Sequence, residues 1–388
     1  MRIGEKLKNY FATSSILAGT ILGVGLFGLP YVFSTAGFSI GLLFLVLCCI
    51  LTTITHLIFG EALLRTSGEH RAPGLAKIYL GKKGYYISMV ASFISLSGVL
   101  LAYLIIGGQF IQNFSQIFSW NIDINLATAI FWLLGTFGMM MGIRLIGMSE
   151  ILGVALIIIL IFGYLFWGLP GLKIQSFTGF NMTQFFLPYG ILLFALSGGS
   201  AVPEIFSYFK NKGISKEQIN FKMPIIWGSI IPTILYLLFI IGAFGLFPGK
   251  VIPVDLAGAL MNINPILAVA TTILGLVLIL TSYFILGLGF KNILFCDLKF
   301  KKTLSWLIPI GLPVILFFIQ NKGFLTIIGF LGAFVLAIET VITFIVHYQS
   351  QKRGDKTPAY QIKFPLFIRI FLIILLLIGA GLEIIKFF

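Results

Sequence analysis

The sequence predicts an all-α polytopic membrane protein with eleven transmembrane helices. Three observations predict it. Apolar residues make up 59% of the 388 residues and charged residues 10%, where soluble domains average about 25% charged. Eleven apolar segments have the length, about 20 residues, that a helix needs to cross a bilayer. The basic residues alternate with those segments. With the N-terminus in the cytoplasm, 22 of the 26 Lys and Arg fall in inner segments, and only Lys173, Lys250, Lys322 and Lys386 fall outside, as the positive-inside rule requires. The C-terminus is then extracytoplasmic, in a multi-pass protein of the cell membrane.

The predicted spans are 13–36, 39–63, 86–117, 125–141, 149–168, 184–208, 224–247, 264–290, 303–319, 324–347 and 365–386. The net charge of +14 is therefore a topology signal, with anionic lipid headgroups as its counter-charge. No nucleic-acid partner is expected. Arg2, Lys6 and Lys8 precede the first apolar run as in a signal peptide. That run is too long for an h-region and lacks a small-residue cleavage site, so it reads as a retained span. Cys48, Cys49 and Cys296 give neither a disulfide framework nor metal-ligand spacing. The chain reads as one transporter domain over 1–388.

The first span holds Ala18-Gly19-Thr20-Ile21-Leu22-Gly23-Val24-Gly25-Leu26-Phe27-Gly28-Leu29-Pro30. A helix in lipid must satisfy its own backbone. Four glycines and a proline within thirteen residues work against that. The segment reads as a discontinuous helix of the kind that lines a binding site. The other reading is a continuous helix in which Gly19 and Gly23 allow close packing. The sixth span repeats the pattern at Leu196-Ser197-Gly198-Gly199-Ser200-Ala201-Val202-Pro203. Two interrupted helices five spans apart predict a five-plus-five inverted repeat. The first repeat covers about 13–168 and the second about 184–347, with 365–386 as an additional helix.

Breaking a helix at mid-membrane exposes N–H groups that suit a carboxylate and C=O groups that suit an amine or a cation. The N–H groups of Gly23, Val24 and Gly25 are candidates for the carboxylate. The carbonyls of Gly19, Thr20, Ile21 and Leu22, with those near Phe194, Ala195 and Leu196, are candidates for the amine or cation. No Asp, Arg or Lys stands near the middle of either span, which favours a net-neutral substrate. Tyr103, Phe194, Ser197 and Tyr283 are candidate pocket walls. Tyr103 reads equally as a packing tyrosine.

In the eighth span, Thr281 and Ser282 either bond back to carbonyls one turn earlier or offer hard oxygens to a sodium ion. Together with Gly19, Leu22 and Leu278 they would make a five-oxygen cage. No other cofactor is expected, and the coupling ion is Na+ or H+. His56, Glu61, Glu204 and Glu339 are the membrane-embedded ionisable groups. His56 and Glu339 lie deeper and are the candidate proton carriers.

Gly19 to Pro30 resembles the first-helix signature of the amino acid/auxin permease and the hydroxy/aromatic amino acid permease families. Leu100 to Gly108 is similar to their third helix. Thr281 to Gly289, followed by a basic loop and Pro309, is similar to the eighth-to-ninth helix region of the aromatic permeases. Gly329-Phe330-Leu331-Gly332-Ala333-Phe334 resembles their tenth helix. The resemblance covers most of the chain. It implies the amino acid–polyamine–cation superfamily fold and secondary active transport of amino acids driven by protons or sodium.

Two departures stand out. Gly289-Phe290-Lys291-Asn292 takes the place of an acidic residue of the aromatic permeases. No lysine occurs in the fifth span, so a lysine amine cannot replace sodium there. The expected function is a cation-coupled symporter of neutral, aromatic or branched amino acids working by alternating access. A membrane-embedded enzyme would need a cluster of His, Asp or Glu at one face, and a channel would need a polar stripe along one span. Neither pattern is seen. A sensor without transport is the remaining alternative.

Overall fold

The computed structural model describes residues 3–141, 146–214, 220–320 and 322–387. Arg2, Arg144 and Lys216, counted among the inner basic residues, lie outside them. The described residues form helices joined by turns, with no strand. The helices are α1 (Ile3–Ile21), α2 (Leu29–Ala36), α3 (Phe38–Leu64), α4 (Ala72–Ile117), α5 (Ile124–Met141), α6 (Ile146–Gly168), α7 (Leu187–Ala195), α8 (Ala201–Asn211), α9 (Lys222–Leu246), α10 (Leu256–Leu260), α11 (Pro265–Asn292), α12 (Lys302–Ile319), α13 (Phe324–Phe330), α14 (Leu336–Arg353) and α15 (Leu366–Phe387). Among the described residues, eight helices are long and apolar enough to cross a membrane, and the bent pair α1–α2 makes a ninth.

The local chemistry explains both interruptions. α1 ends where the Leu22 N–H bonds to the Ala18 carbonyl at 2.9 Å. Gly23 then turns extended, with φ −141° and ψ −156°. A 3-10 turn at Val24–Gly28 leads into α2, and the two halves meet at 50°. Pro30 falls in the first turn of α2, where a missing N–H removes no helical bond. The sixth predicted span divides likewise into α7 and α8, with 196–200 between them. There the Ser197 N–H bonds to the Phe194 carbonyl at 3.1 Å, and the Ala201 N–H bonds to the Gly198 carbonyl at 3.0 Å.

Two further departures from regular helix shape the bundle. Gly81 has φ +72° within α4. That left-handed conformation suits glycine and separates a short first part of α4 from the long apolar part. A π-helical turn at Leu331–Val335 joins α13 to α14. α7 packs on that turn so closely that a Cβ on Gly332 would overlap the Gly190 carbonyl oxygen.

α9 is the most enclosed long helix, with 56% of its most apolar stretch buried, while α12 has 17% and α15 has 22%. α12 and α15 therefore present most of their apolar surface outward, as lipid contact requires. α9 packs against α1, α3 and α6, and α4 packs against α5, α11, α12 and α14.

At the end of the bundle where Arg65 and Arg369 lie, a buried charge cluster ties three elements together. Glu61 accepts from Arg65 Nε at 2.8 Å and lies 2.9 Å from His347 Nε2, with Glu61 and His347 both 0% exposed. Its second oxygen also accepts the Ile362 N–H at 2.6 Å. Arg369 donates to the Phe344 carbonyl and to Gln351. The segment between α14 and α15 is thereby clasped under α3, and Tyr360 donates to the Leu57 carbonyl at 2.6 Å. Removing one partner of such a cluster strands a buried charge. Glu61→Ala should destabilise the protein by about 3–5 kcal/mol, read as a fall in melting temperature in detergent.

Candidate functional site

The two breaks touch. A Cβ placed on Gly25 would lie 2.8 Å from both Cα and Cβ of Ala195. Gly25 is therefore where the backbones of the two broken spans meet. Gly198 approaches the first span in turn, against Leu17 and Ile21.

Tyr236, on α9 and fully buried, holds both breaks. Its hydroxyl lies 2.5 Å from the Ile21 carbonyl oxygen and 3.1 Å from that of Ala195, and it accepts the Gly23 N–H. One phenol thus serves three backbone groups that the breaks leave without helical partners. Tyr103, on α4, holds the other flank through one backbone group. It accepts the Val24 N–H at 3.4 Å and shares a hydrogen bond with the Ser282 hydroxyl. The second break has its own partner, His56 of α3, whose Nε2 accepts the Gly198 N–H at 3.2 Å.

A cavity of about 80 Å³ opens beside the first break. Gly19, Thr20, Leu22 and Gly23 line it on one side, Leu278, Thr281 and Ser282 on the other, and Tyr103 forms part of its wall. Gly153 and Val154 of α6, with Ile285 and Leu286 of α11, complete it. Among the described residues, no lining side chain carries a charge. Polarity comes from backbone groups, two aliphatic hydroxyls on α11, the Thr20 hydroxyl and one phenol.

The candidate residues named from sequence separate into groups. Gly19, Thr20, Leu22, Gly23, Tyr103, Leu278, Thr281 and Ser282 come together at the cavity. The Ile21 carbonyl and the N–H groups of Gly23 and Val24, expected to face a ligand, meet tyrosine hydroxyls in this conformation. A substrate carboxylate at those N–H groups would have to displace a phenol. Gly25 packs on Ala195, Phe194 lies in the last turn of α7, and Leu196 and Ser197 sit in the second break; none of them is among the cavity's described lining residues. Tyr283 points elsewhere: it is fully buried against Phe131, with ring centroids 5.4 Å apart, and against Gly135 of α5. Thr281 makes the local bond, donating to the Leu278 carbonyl at 2.9 Å, while its lone pairs stay available to the cavity.

Sequence reasoning did not assign Tyr236 to the site, nor Gly153 and Val154, and it did not connect His56 to the second break. A signal for Tyr236 existed. Breaks free N–H and C=O groups that need partners, and Tyr236 is a polar-tipped residue midway along an apolar span.

The sequence pattern of the tryptophan/tyrosine permease family matches residues 6–385. The chain belongs to that family. It is therefore a multi-pass membrane protein of a permease family and not an enzyme. Full-length relatives include glutamine transporter 2 of Aliivibrio fischeri, 22% identical over 86% of this chain and 87% of the relative. Tyrosine-specific transport system 2 of Haemophilus influenzae is 23% identical over 84% of each chain. The low affinity tryptophan permease of Proteus vulgaris is 24% identical over 82% of this chain and 81% of its own.

Tyr236→Phe removes the hydroxyl and leaves the Gly23 N–H and the Ile21 and Ala195 carbonyls without that partner. The variant should lose about 1–3 kcal/mol of stability. Hydrogen exchange should rise at Gly23 while α3 stays protected, and mass spectrometry of peptides covering both segments reads the difference.

Proposed function

We propose that the chain is a secondary active transporter, a cation-coupled symporter that moves neutral amino acids with aromatic or branched side chains by alternating access. The observation that carries this reading is the cavity at the first break, where backbone dipoles and hydroxyls face a space that, among the described residues, no charged side chain lines. A zwitterion matches such a site: its carboxylate suits freed N–H groups, its ammonium suits freed carbonyls, and no net charge is left over. The named relatives transport glutamine, tyrosine and tryptophan, all neutral amino acids, which supports the same substrate class.

The fold proposed with it is an eleven-span, five-plus-five inverted repeat. α1–α2 and α7–α8 are the discontinuous first and sixth spans, and α15 is the additional helix. The pattern of packing supports it, because contacts recur under a shift of five spans. α1 on α9 corresponds to α7 and α8 on α3. α6 on α9 corresponds to α14 on α3, and α6 on α11 to α14 on α4. α5 on α11 corresponds to α12 on α4. The N-terminus is placed in the cytoplasm and the C-terminus outside the cell membrane, on the charge alternation. The basic end of the bundle, with Arg65, Lys210 and Lys352, is then cytoplasmic.

Cation coupling would work through the cavity. Gly19 and Leu22 on the first span and Leu278, Thr281 and Ser282 on α11 belong to opposite repeats and line one space. A sodium ion held there would favour whichever conformation keeps the two spans together.

Purified protein in proteoliposomes, given sodium and pH gradients separately, tests the reading. Accumulation of a labelled neutral amino acid under one gradient is expected, and uptake indifferent to both would defeat coupling. If sodium drives uptake, a Thr281→Ala, Ser282→Ala double variant should lose that dependence. In a competition panel, lysine or glutamate outcompeting every neutral amino acid would defeat the substrate class, since one methylene in an apolar pocket changes binding by only about 1–3 kcal/mol.

A further inference from the structure

We propose that His56 is a proton-binding site whose occupancy sets the conformation of the second broken span; this rests on the symporter reading and deepens its coupling step. His56 lies on α3, is 3% exposed, and faces the gap between α7 and α8 rather than the cavity. Its Nε2 accepts the Gly198 N–H at 3.2 Å. To accept there, the ring must be neutral with its hydrogen on Nδ1. That nitrogen is buried and has no hydrogen-bond partner among the described residues, an uncommon state for a buried polar group.

A second proton can add only to the Nε2 lone pair, the one that Gly198 occupies. The imidazolium then presents an N–H to the Gly198 N–H, and the bond between them is lost. The proton and the present geometry of the break exclude each other. Proton binding therefore favours a conformation in which Gly198 has left His56, and that difference in affinity is what couples a ligand to a conformational change. The balance is simple. A proton from water on one side adds to Nε2, and the same proton leaves to water on the other. No other bond forms or breaks.

The titratable groups on α3 and on the elements packed against it have other partners or stand apart. Glu61 is held by Arg65, His347 and Ile362. Glu204 of α8 meets Arg71, and Glu339 of α14 accepts from Ser92. Tyr236 of α9 serves the two breaks, while Tyr189 of α7 packs on Phe44. The lysines and arginines of these elements stand at helix ends. Among the described residues, His56 takes part in no ion pair. Its charge state is therefore open to the proton and to the conformation of the break, without an ion pair to fix it.

His56→Gln keeps an acceptor oxygen for Gly198 but takes no proton, and it is the variant that separates the roles. Exchange of labelled against unlabelled tyrosine, tryptophan or glutamine across proteoliposomes needs no gradient, so exchange by the wild type tests the transport reading by itself. If the wild type exchanges none of them, that reading fails and the proposal falls with it.

Given exchange, the wild type should accumulate the same amino acid under an imposed pH gradient. His56→Gln should keep exchange and lose at least about tenfold of gradient-driven accumulation. Accumulation by His56→Gln equal to wild type would overturn the proposal, as would wild-type uptake that follows sodium alone. A second measurement needs no functional variant. In protein labelled with 15N-histidine, the neutral His56 ring should carry its hydrogen on Nδ1, and a hydrogen on Nε2 would overturn the proposal.

Discussion

A backbone N–H or C=O exposed to lipid has no water to turn to. The rest of this structure depends on that constraint, because two of its spans are broken inside the apolar bundle. Each break frees groups that a continuous helix would have paired. Tyr236 and Tyr103 hold the first break, and His56 and Tyr236 hold the second. All of these partners come from α3, α4 and α9, helices that run unbroken past the interruptions. The continuous helices keep the broken ones in shape, and they do so through a few hydroxyls and one imidazole.

The same economy would let the two breaks move together under the proposed mechanism. The two spans meet at Gly25 and Ala195, where only the Ala195 methyl stands between the backbones. Tyr236 has one hydroxyl hydrogen and two carbonyls within reach, one from each break. A ligand that pulls the Gly23 or Val24 N–H groups away from the phenols changes what Tyr236 offers to Ala195, and through it the second span. The first break faces the cavity and the second faces His56. On the proposed reading, one side would take substrate and the other a proton, and one tyrosine joins them.

Much of this was legible in the sequence because glycine and proline clustered inside apolar runs have few explanations in lipid. The interruptions near Gly23 and Gly198 fall where composition places them, and eight of the residues named from sequence meet at one cavity. Side-chain direction was not legible. The large apolar residues of α11 are spread around the helix, so no single hydrophobic stripe announces its rotation. Tyr283 therefore reads as a wall residue but packs on Phe131, one residue from Ser282, which does reach the cavity. Tyr236 escaped for the same reason, as a single tyrosine in an apolar helix reads as packing. Gly25 illustrates a different limit. Its small size is explained by a backbone from another span, and no local pattern encodes that neighbour.

The central claim is that the cavity between the first break, α6 and α11 receives the amino acid. Val154 lines that cavity, with Cγ2 3.3 Å from the point a Gly19 Cβ would occupy. A Val154→Cys variant, with Cys48, Cys49 and Cys296 replaced by alanine, places a single thiol there. Its labelling rate by a small thiol reagent, measured with and without tyrosine, tryptophan or glutamine, tests the claim most directly. Slower labelling in the presence of at least one of them, and no slowing by lysine or glutamate, is the expected result. An unchanged rate with an amino acid that the same protein demonstrably binds would place the substrate elsewhere.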